Sequence, residues 1–282
     1  MDIKKRPTII SGFSAASEIK PLAEAGCNEL YFGLLLKDKP PLINHRPPTP
    51  ENNITSYNEL VKAIEIAKHY NISLYFVVNG YITDSNLIDY HLEHIEKVVK
   101  LGVNGVILSE IVLLDRLKNS NLKFKPIISS QAETFNTKTL DYYLSFNPQR
   151  IILPQQISAD EAEAFFSRDV EIEIFSLKSN NCPYLDGMCT LKIHAMKLNK
   201  NCKQPCYEKW SDNTNAHITK LRNISKLSYY KFLKMGVASI KVGNRDRGSF
   251  KERIKQIHDV HHSIDAFCKA KNAKEFFALY QD

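Results

Sequence analysis

No run of apolar residues in this chain of 282 approaches the roughly eighteen that a membrane-crossing helix needs. The opening stretch "MDIKKRPTII" is basic but turns polar soon after Pro7, without the apolar core of a secretory leader. No glycine-rich dinucleotide fingerprint follows the first β-branched run, and no H-E-x-x-H occurs anywhere. Those absences count against a Rossmann-type enzyme and a zinc metallopeptidase. No serine sits in a recognisable nucleophile elbow, which counts against a hydrolase built on one. The expected compartment is the cytoplasm, where thiols stay reduced and clustered cysteines bind metal more often than they pair.

What is present reads as one ordinary globular unit. With 43% hydrophobic and 24% charged residues, the chain has the composition and length of a single α/β barrel. Its net charge of +7, from 38 basic and 31 acidic residues, fits RNA or another anionic partner. A lysine-rich solvated surface gives the same excess.

Short β-branched runs alternate with amphipathic segments from end to end. "PTIISGF", "NELYFGL", "SLYFVVNG", "NGVILSE", "KPIISSQ", "QRIILPQQ", "DVEIEIFSL" and "VASIKVGN" read as strands. Each is followed by a segment with apolar residues at helical spacing, such as "SYNELVKAIEIAKHY". In the first helix Ser14 is the expected N-cap and Gly26 the stop. Eight strand–helix units imply a parallel sheet, and eight is the number that closes a (β/α)8 TIM-type barrel. An open doubly wound sheet is the competing arrangement. The expectation is therefore one domain over residues 1–282, interrupted after the seventh strand by a cysteine-bearing insertion at about 178–224. That insertion and the proline-rich loop "LKDKPPLINHRPPTPENNIT" both leave the carboxyl ends of strands, the barrel face on which active sites are built.

The insertion holds Cys182, Cys189, Cys202 and Cys206, spaced C-x6-C-x12-C-x3-C. Structural zinc sites pair their ligands in short knuckles; the last two cysteines fit one, the first two do not. Iron–sulfur cradles accept wider spacing. Thiolates suit zinc and iron–sulfur alike, so a 4Fe–4S cluster and zinc both stand, with the spacing favouring the cluster. Nearby Lys192, Lys197, Lys200 and Lys203 would offset its negative charge. Cys27 and Cys268 are expected as small buried hydrophobes. His91, His94, His258, His261 and His262 fall on outer helices and are expected exposed or half-buried.

These segments, taken in order, resemble the collagenase-like peptidase family U32, including its ubiquinone-biosynthesis and RNA-hydroxylation members. "PLAEAGCNELYFGL" is similar to that family's alanine-rich helix followed by "GADAVYFG", and "LGVNGVILSE" to "LGVDAIIVQD". "NKNCKQPCYE" resembles "RGSCAQPCR", and "MGVASIKVGNR" resembles "AGIDSFKIEGR". The resemblance implies a barrel with a cysteine-held 4Fe–4S cluster at its mouth. It aligns Cys182 and Cys189 with the family's C-x6-C pair and Cys202 with the first cysteine of "C-A-Q-P-C". Where many members carry a later "D-L-C", this chain has "RNISK", which leaves Cys206 as the fourth ligand. The family's "E-L-S" is "Q-I-S" here, with an amide at Gln156 in place of a carboxylate.

Three functions follow as expectations. The first is oxygen-independent hydroxylation of a quinone precursor or an RNA base, implied by the resemblance. The second is a peptidase cutting peptide or collagen-like substrates, from the family name. The third is a non-catalytic electron-carrying or scaffolding subunit paired with a paralogous partner. Substrate-binding candidates at the strand ends are Asn79, Gln131, Gln155, Gln156, Lys241 and Arg245, with Asn44, His45 and Arg46 from the proline-rich loop. Arg46 and Arg245 would bind a carboxylate or phosphate through forked hydrogen bonds. Tyr184, Tyr207 and Trp210 would shield the cluster, stack on a base, or form the core of the insertion.

Overall fold

A computed structural model describes residues 6–37, 39–40, 42–46, 48–82, 84–177, 225–243 and 249–281. Eight parallel strands close into a barrel in chain order: β1 Thr8–Gly12, β2 Glu29–Phe32, β3 Ser73–Val78, β4 Gly105–Leu108, β5 Lys125–Ile128, β6 Arg150–Ile152, β7 Glu171–Phe175 and β8 Ser239–Val242. Pairing of Ile9 with Ile240 and Ile10 with Lys241 joins the last strand to the first. The open-sheet alternative is thereby excluded. The described helices are α1 Ile19–Glu24, α2 Tyr57–His69, α3 Asn86–Lys100, α4 Ile111–Lys118, α5 Thr137–Leu144, α6 Ala159–Ala162, α7 Lys226–Met235, α8 Phe250–Lys269 and α9 Ala273–Leu279.

Local chemistry sets the helix boundaries. The Ser56 hydroxyl accepts from the Glu59 amide at 3.1 Å, and α2 then buries Leu60, Ala63, Ile64 and Ala67 on one stripe. Ser158 and Glu161 make a reciprocal capping box on α6. α7 stops at Gly236, whose φ of 89° is left-handed. Ser14 does not cap the first helix. A 3-10 turn at Ala16–Glu18 precedes α1, and the Ser14 amide instead donates to the Glu18 carboxylate at 2.9 Å. α9 is an addition to the sequence reading. The Asn272 side chain caps it by accepting from the Glu275 amide at 3.0 Å, and Phe276 and Tyr280 are buried.

Strand alternation sorts the core into two parts. Outward residues such as Ile9, Leu30, Phe76 and Ile240 pack under the helices. Inward Ile10, Tyr31, Tyr75, Val77, Ile107, Ile127, Ile152 and Phe175 fill the barrel. Toward the amino-terminal end the filling becomes ionic. Arg150 donates to Glu29 at 2.6 and 2.9 Å, to Glu171 at 3.0 Å and to Glu173 at 3.0 Å. Lys241 takes the other Glu173 oxygen at 3.0 Å, and the Tyr75 hydroxyl donates to Glu29 at 3.2 Å. Burial pushes the Glu29 carboxyl up, but the hydrogen bond and charge of Arg150 outweigh it and hold its pKa below the usual value.

Two expectations about exposure are corrected. Cys27 is buried, and burial pushes its thiol up to about 12 against the lowering charge of Arg253, but Cys268 is exposed on α8. His91 and His94 are buried on α3, because the β2–α2 loop covers that helix. The four insertion cysteines, Tyr184, Tyr207, Trp210 and Arg245 lie outside the described residues. Among the described residues no helix is long and apolar enough to cross a membrane.

Candidate functional site

A narrow cleft opens at the carboxyl ends of the strands, lined by Tyr31, His45, Arg46, Val77, Asn79, Ile107, Ser129, Ser130, Ile152 and Lys241. Its outer wall is the β2–α2 loop, which lies across the mouth. The amide of Ile43 donates to His91 Nε2 at 2.9 Å, and the Ile43 carbonyl accepts from the Gly80 amide at 3.2 Å. His91 Nδ1 sits 2.6 Å from the Leu87 carbonyl, so His91 is neutral, with the proton on Nδ1. Burial holds its pKa below the ordinary imidazole value, against the raising effect of the Leu87 hydrogen bond.

Small residues allow this close approach. A Cβ on Gly80 would lie 2.3 Å from Ile43 Cγ2 and 3.1 Å from the Ile43 carbonyl carbon. A Cβ on Gly33 would lie 2.2 Å from Asn53 Oδ1 and 2.9 Å from Asn44 Nδ2. Gly80→Ala is therefore expected to lift the loop from the mouth and cost about 1–3 kcal/mol, the usual penalty of overpacking. Faster limited proteolysis within the loop and a lower Tm would show it. An unaltered cleavage pattern and Tm would contradict it.

Each candidate side chain has a distinct position. Asn79 accepts from the His45 amide at 3.1 Å through Oδ1 and donates to Ser129 at 2.9 Å through Nδ2. Its amide is committed at both ends, so it ties the loop to the end of β5. Arg46 is likewise strapped. Its Nε donates to the Asn52 carbonyl at 2.5 Å, its Nη2 donates to the Phe13 carbonyl at 2.9 Å, and its own amide donates to Asn44 Oδ1 at 2.8 Å. Lys241 rises from the ionic layer, with Nζ 4.1 Å from the centre of the Tyr31 ring. The Arg46 guanidinium carbon is 5.4 Å from the same centre. Two cations thus share one aromatic surface at the floor of the cleft.

The glutamines stand apart. Gln131, Gln155 and Gln156 lie at the ends of β5 and β6 as expected, but none lines the cleft. The Gln131 amide donates to the Ser129 hydroxyl at 3.2 Å, and its carbonyl accepts from Tyr81. Among the described residues, Gln155 Oε1 and Ser176 Oγ are buried without a hydrogen-bond partner. They lie three positions beyond the paired Ile152 and Glu173, where the chain leaves β7 toward the cysteine segment. Buried polar atoms in that condition call for a partner. The sequence reading missed Tyr31, Ser129 and Ser130. Tyr31 was signalled by sharing inward parity with Glu29 in "ELYF".

Comparison with known proteins places this arrangement in context. The chain is 23% identical over 236 residues to the tRNA hydroxylation protein P1 of Bacillus subtilis (strain 168), covering 74% of this chain and 54% of that protein. It is 26% identical over 167 residues to the tRNA hydroxylation protein P of Escherichia coli (strain K12), covering 57% of this chain and 36% of that protein. It thus spans about half or less of the length of these relatives. The fold is similar to that of the U32 peptidase Mk0906, with a TM-score of 0.55 at 10% identity over 86% of this chain and 94% of that one. The sequence profile of peptidase family U32 matches residues 14–281, and the chain belongs to that family.

Proposed function

We propose that this protein takes part in the hydroxylation of an RNA base, with Cys182, Cys189, Cys202 and Cys206 holding a 4Fe–4S cluster above the barrel mouth. The observation that carries the reading is the cleft at the barrel end from which the cysteine segment departs. The names of the two tRNA-hydroxylation relatives support the choice of RNA over a quinone precursor. Such a cluster supplies electron transfer. Four thiols within twenty-five residues suit it chemically, and the unpartnered Ser176 hydroxyl is a donor of the kind that hydrogen-bonds cluster sulfur.

The chain's own residues would receive the base. Tyr31 offers a ring face, and Lys241 and Arg46 beside it make the cleft electropositive, suited to the carbonyl oxygens of a base or an adjacent phosphate. Asn79 and His91 keep the loop closed over the mouth, which limits water at the site. Zinc in the same thiolates would remove the electron-transfer role. Nucleoside mass spectrometry of total tRNA from a deletion strain tests the reading. A hydroxylated nucleoside should vanish and return with the wild-type gene, but not with Cys202→Ala or Lys241→Met. An unchanged nucleoside profile after deletion would contradict it.

A further inference from the structure

On its outer side the β2–α2 loop borders a second, wider groove of about 470 Å³, walled by the loop, the start of α2 and the exposed face of α3. Among the described residues Lys37, Lys39 and Lys97 line it with one carboxylate, Glu93; Asp38, between the first two lysines in the chain, lies outside the described residues. Its floor is aromatic and tied in place. Lys97 Nζ lies 3.9 Å from the centre of the Tyr57 ring, and the Tyr57 hydroxyl is hydrogen-bonded to His94 Nδ1. The Tyr90 ring packs edge-on against His94 at 4.4 Å, and its hydroxyl donates to the Pro40 carbonyl at 2.8 Å.

The groove's chemistry differs from that of a small-molecule site. It is open, and its cations are lysines on flexible stems along a rim rather than a guanidinium fork closing on one carboxylate. Spaced point charges beside aromatic rings suit a strand of repeating phosphates. The groove also leads to the mouth. Lys39 borders the groove and His45 lines the cleft, and they are six positions apart in the chain, so their backbones are at most roughly 20 Å apart.

We propose that this groove docks the sugar–phosphate backbone of the RNA whose base enters the barrel mouth. The proposal rests on the RNA reading of the cleft and adds where the strand lies. Lys37, Lys39 and Lys97 neutralise phosphates flanking the target nucleotide, and Glu93 opposes them.

Fluorescence anisotropy of the full chain with an unmodified tRNA transcript, across a salt series, tests it. Combining Lys37→Gln, Lys39→Gln and Lys97→Gln should weaken binding about tenfold or more at low salt. The slope of log affinity against log salt should fall by about 2, each lost phosphate contact removing about 0.7–0.9. Lys269→Gln, Lys271→Gln and Lys274→Gln make the same charge change at the opposite end of the barrel and should leave the slope near wild type. Glu93→Gln should tighten binding about twofold or more at low salt, by removing a repulsive charge within a Debye length, a result misfolding cannot mimic. If wild type binds but the groove variants keep its affinity and slope, or weaken no more than the control set, the groove is overturned and the RNA reading stands. An Glu93→Gln variant that binds no tighter also counts against the groove. If the wild type binds no RNA, both fall.

Discussion

Arg150→Met is expected to destabilise the protein by about 3–5 kcal/mol, the cost of leaving a buried charge without its partner. The Arg150 side chain is 3% exposed and sits against Glu29 at 9% and Glu173 at 0%. Removing the guanidinium strands Glu29 inside the barrel without a cation, while Glu173 keeps only Lys241. Urea denaturation gives the size of the effect, and its pH dependence identifies the cause. In the wild type the Glu29 pKa is depressed. Its contribution is therefore full above the unfolded carboxyl value near 4.5 and is lost as pH falls through the lower folded value. In the variant the same carboxyl is desolvated without a cation, so its pKa rises and protonation relieves the strain. The gap between variant and wild type should narrow between pH 8 and pH 5. A gap independent of pH would show that lost packing, not stranded charge, is responsible. The effect should reach the cleft as well, since Glu173 holds Arg150 with one oxygen and Lys241 with the other.

Much of this architecture was legible in the sequence because strand and helix periods differ. Eight β-branched runs separated by stripes such as Leu60, Ala63, Ile64 and Ala67 point to a parallel barrel, and the pairing of β8 with β1 decides against the open sheet. The ionic layer also left a trace. Glu29, Arg150 and Glu173 each belong to a strand run, at positions that the alternation turns inward. What the sequence could not show were contacts made by distant segments. His91 is buried because Ile43, forty-eight positions earlier, hydrogen-bonds to it. Asn79 and Arg46 line the cleft, and their hydrogen bonds tie the loop to Ser129 after β5 and to Phe13 after β1. The three glutamines lie at strand ends but are not among the residues that line the cleft. Cys268 was misjudged for a related reason. The chain beyond α8 folds back on Phe276 and Tyr280 and leaves that thiol on the outer surface.

On the proposed reading, Cys202→Ala should abolish the cluster and with it RNA hydroxylation, whereas Cys268→Ala should retain both. The contrast follows from chemistry and position. Losing one thiolate from four leaves an iron corner without its protein ligand. Cys268 is exposed on α8, away from the carboxyl ends of the strands. Cys27 is no substitute ligand, since it is buried with its thiol held protonated up to about pH 12. Equal loss in the Cys202 and Cys268 variants would mean the ligand set is wrong. Lys241→Met offers an independent check, because it should keep the cofactor while losing substrate binding in the cleft.

The most direct measurement is metal and sulfide analysis of anaerobically purified protein together with its visible absorption spectrum. A cluster held by Cys182, Cys189, Cys202 and Cys206 predicts a brown protein with roughly four iron and four sulfide per chain. Stoichiometric zinc in a colourless protein would contradict it.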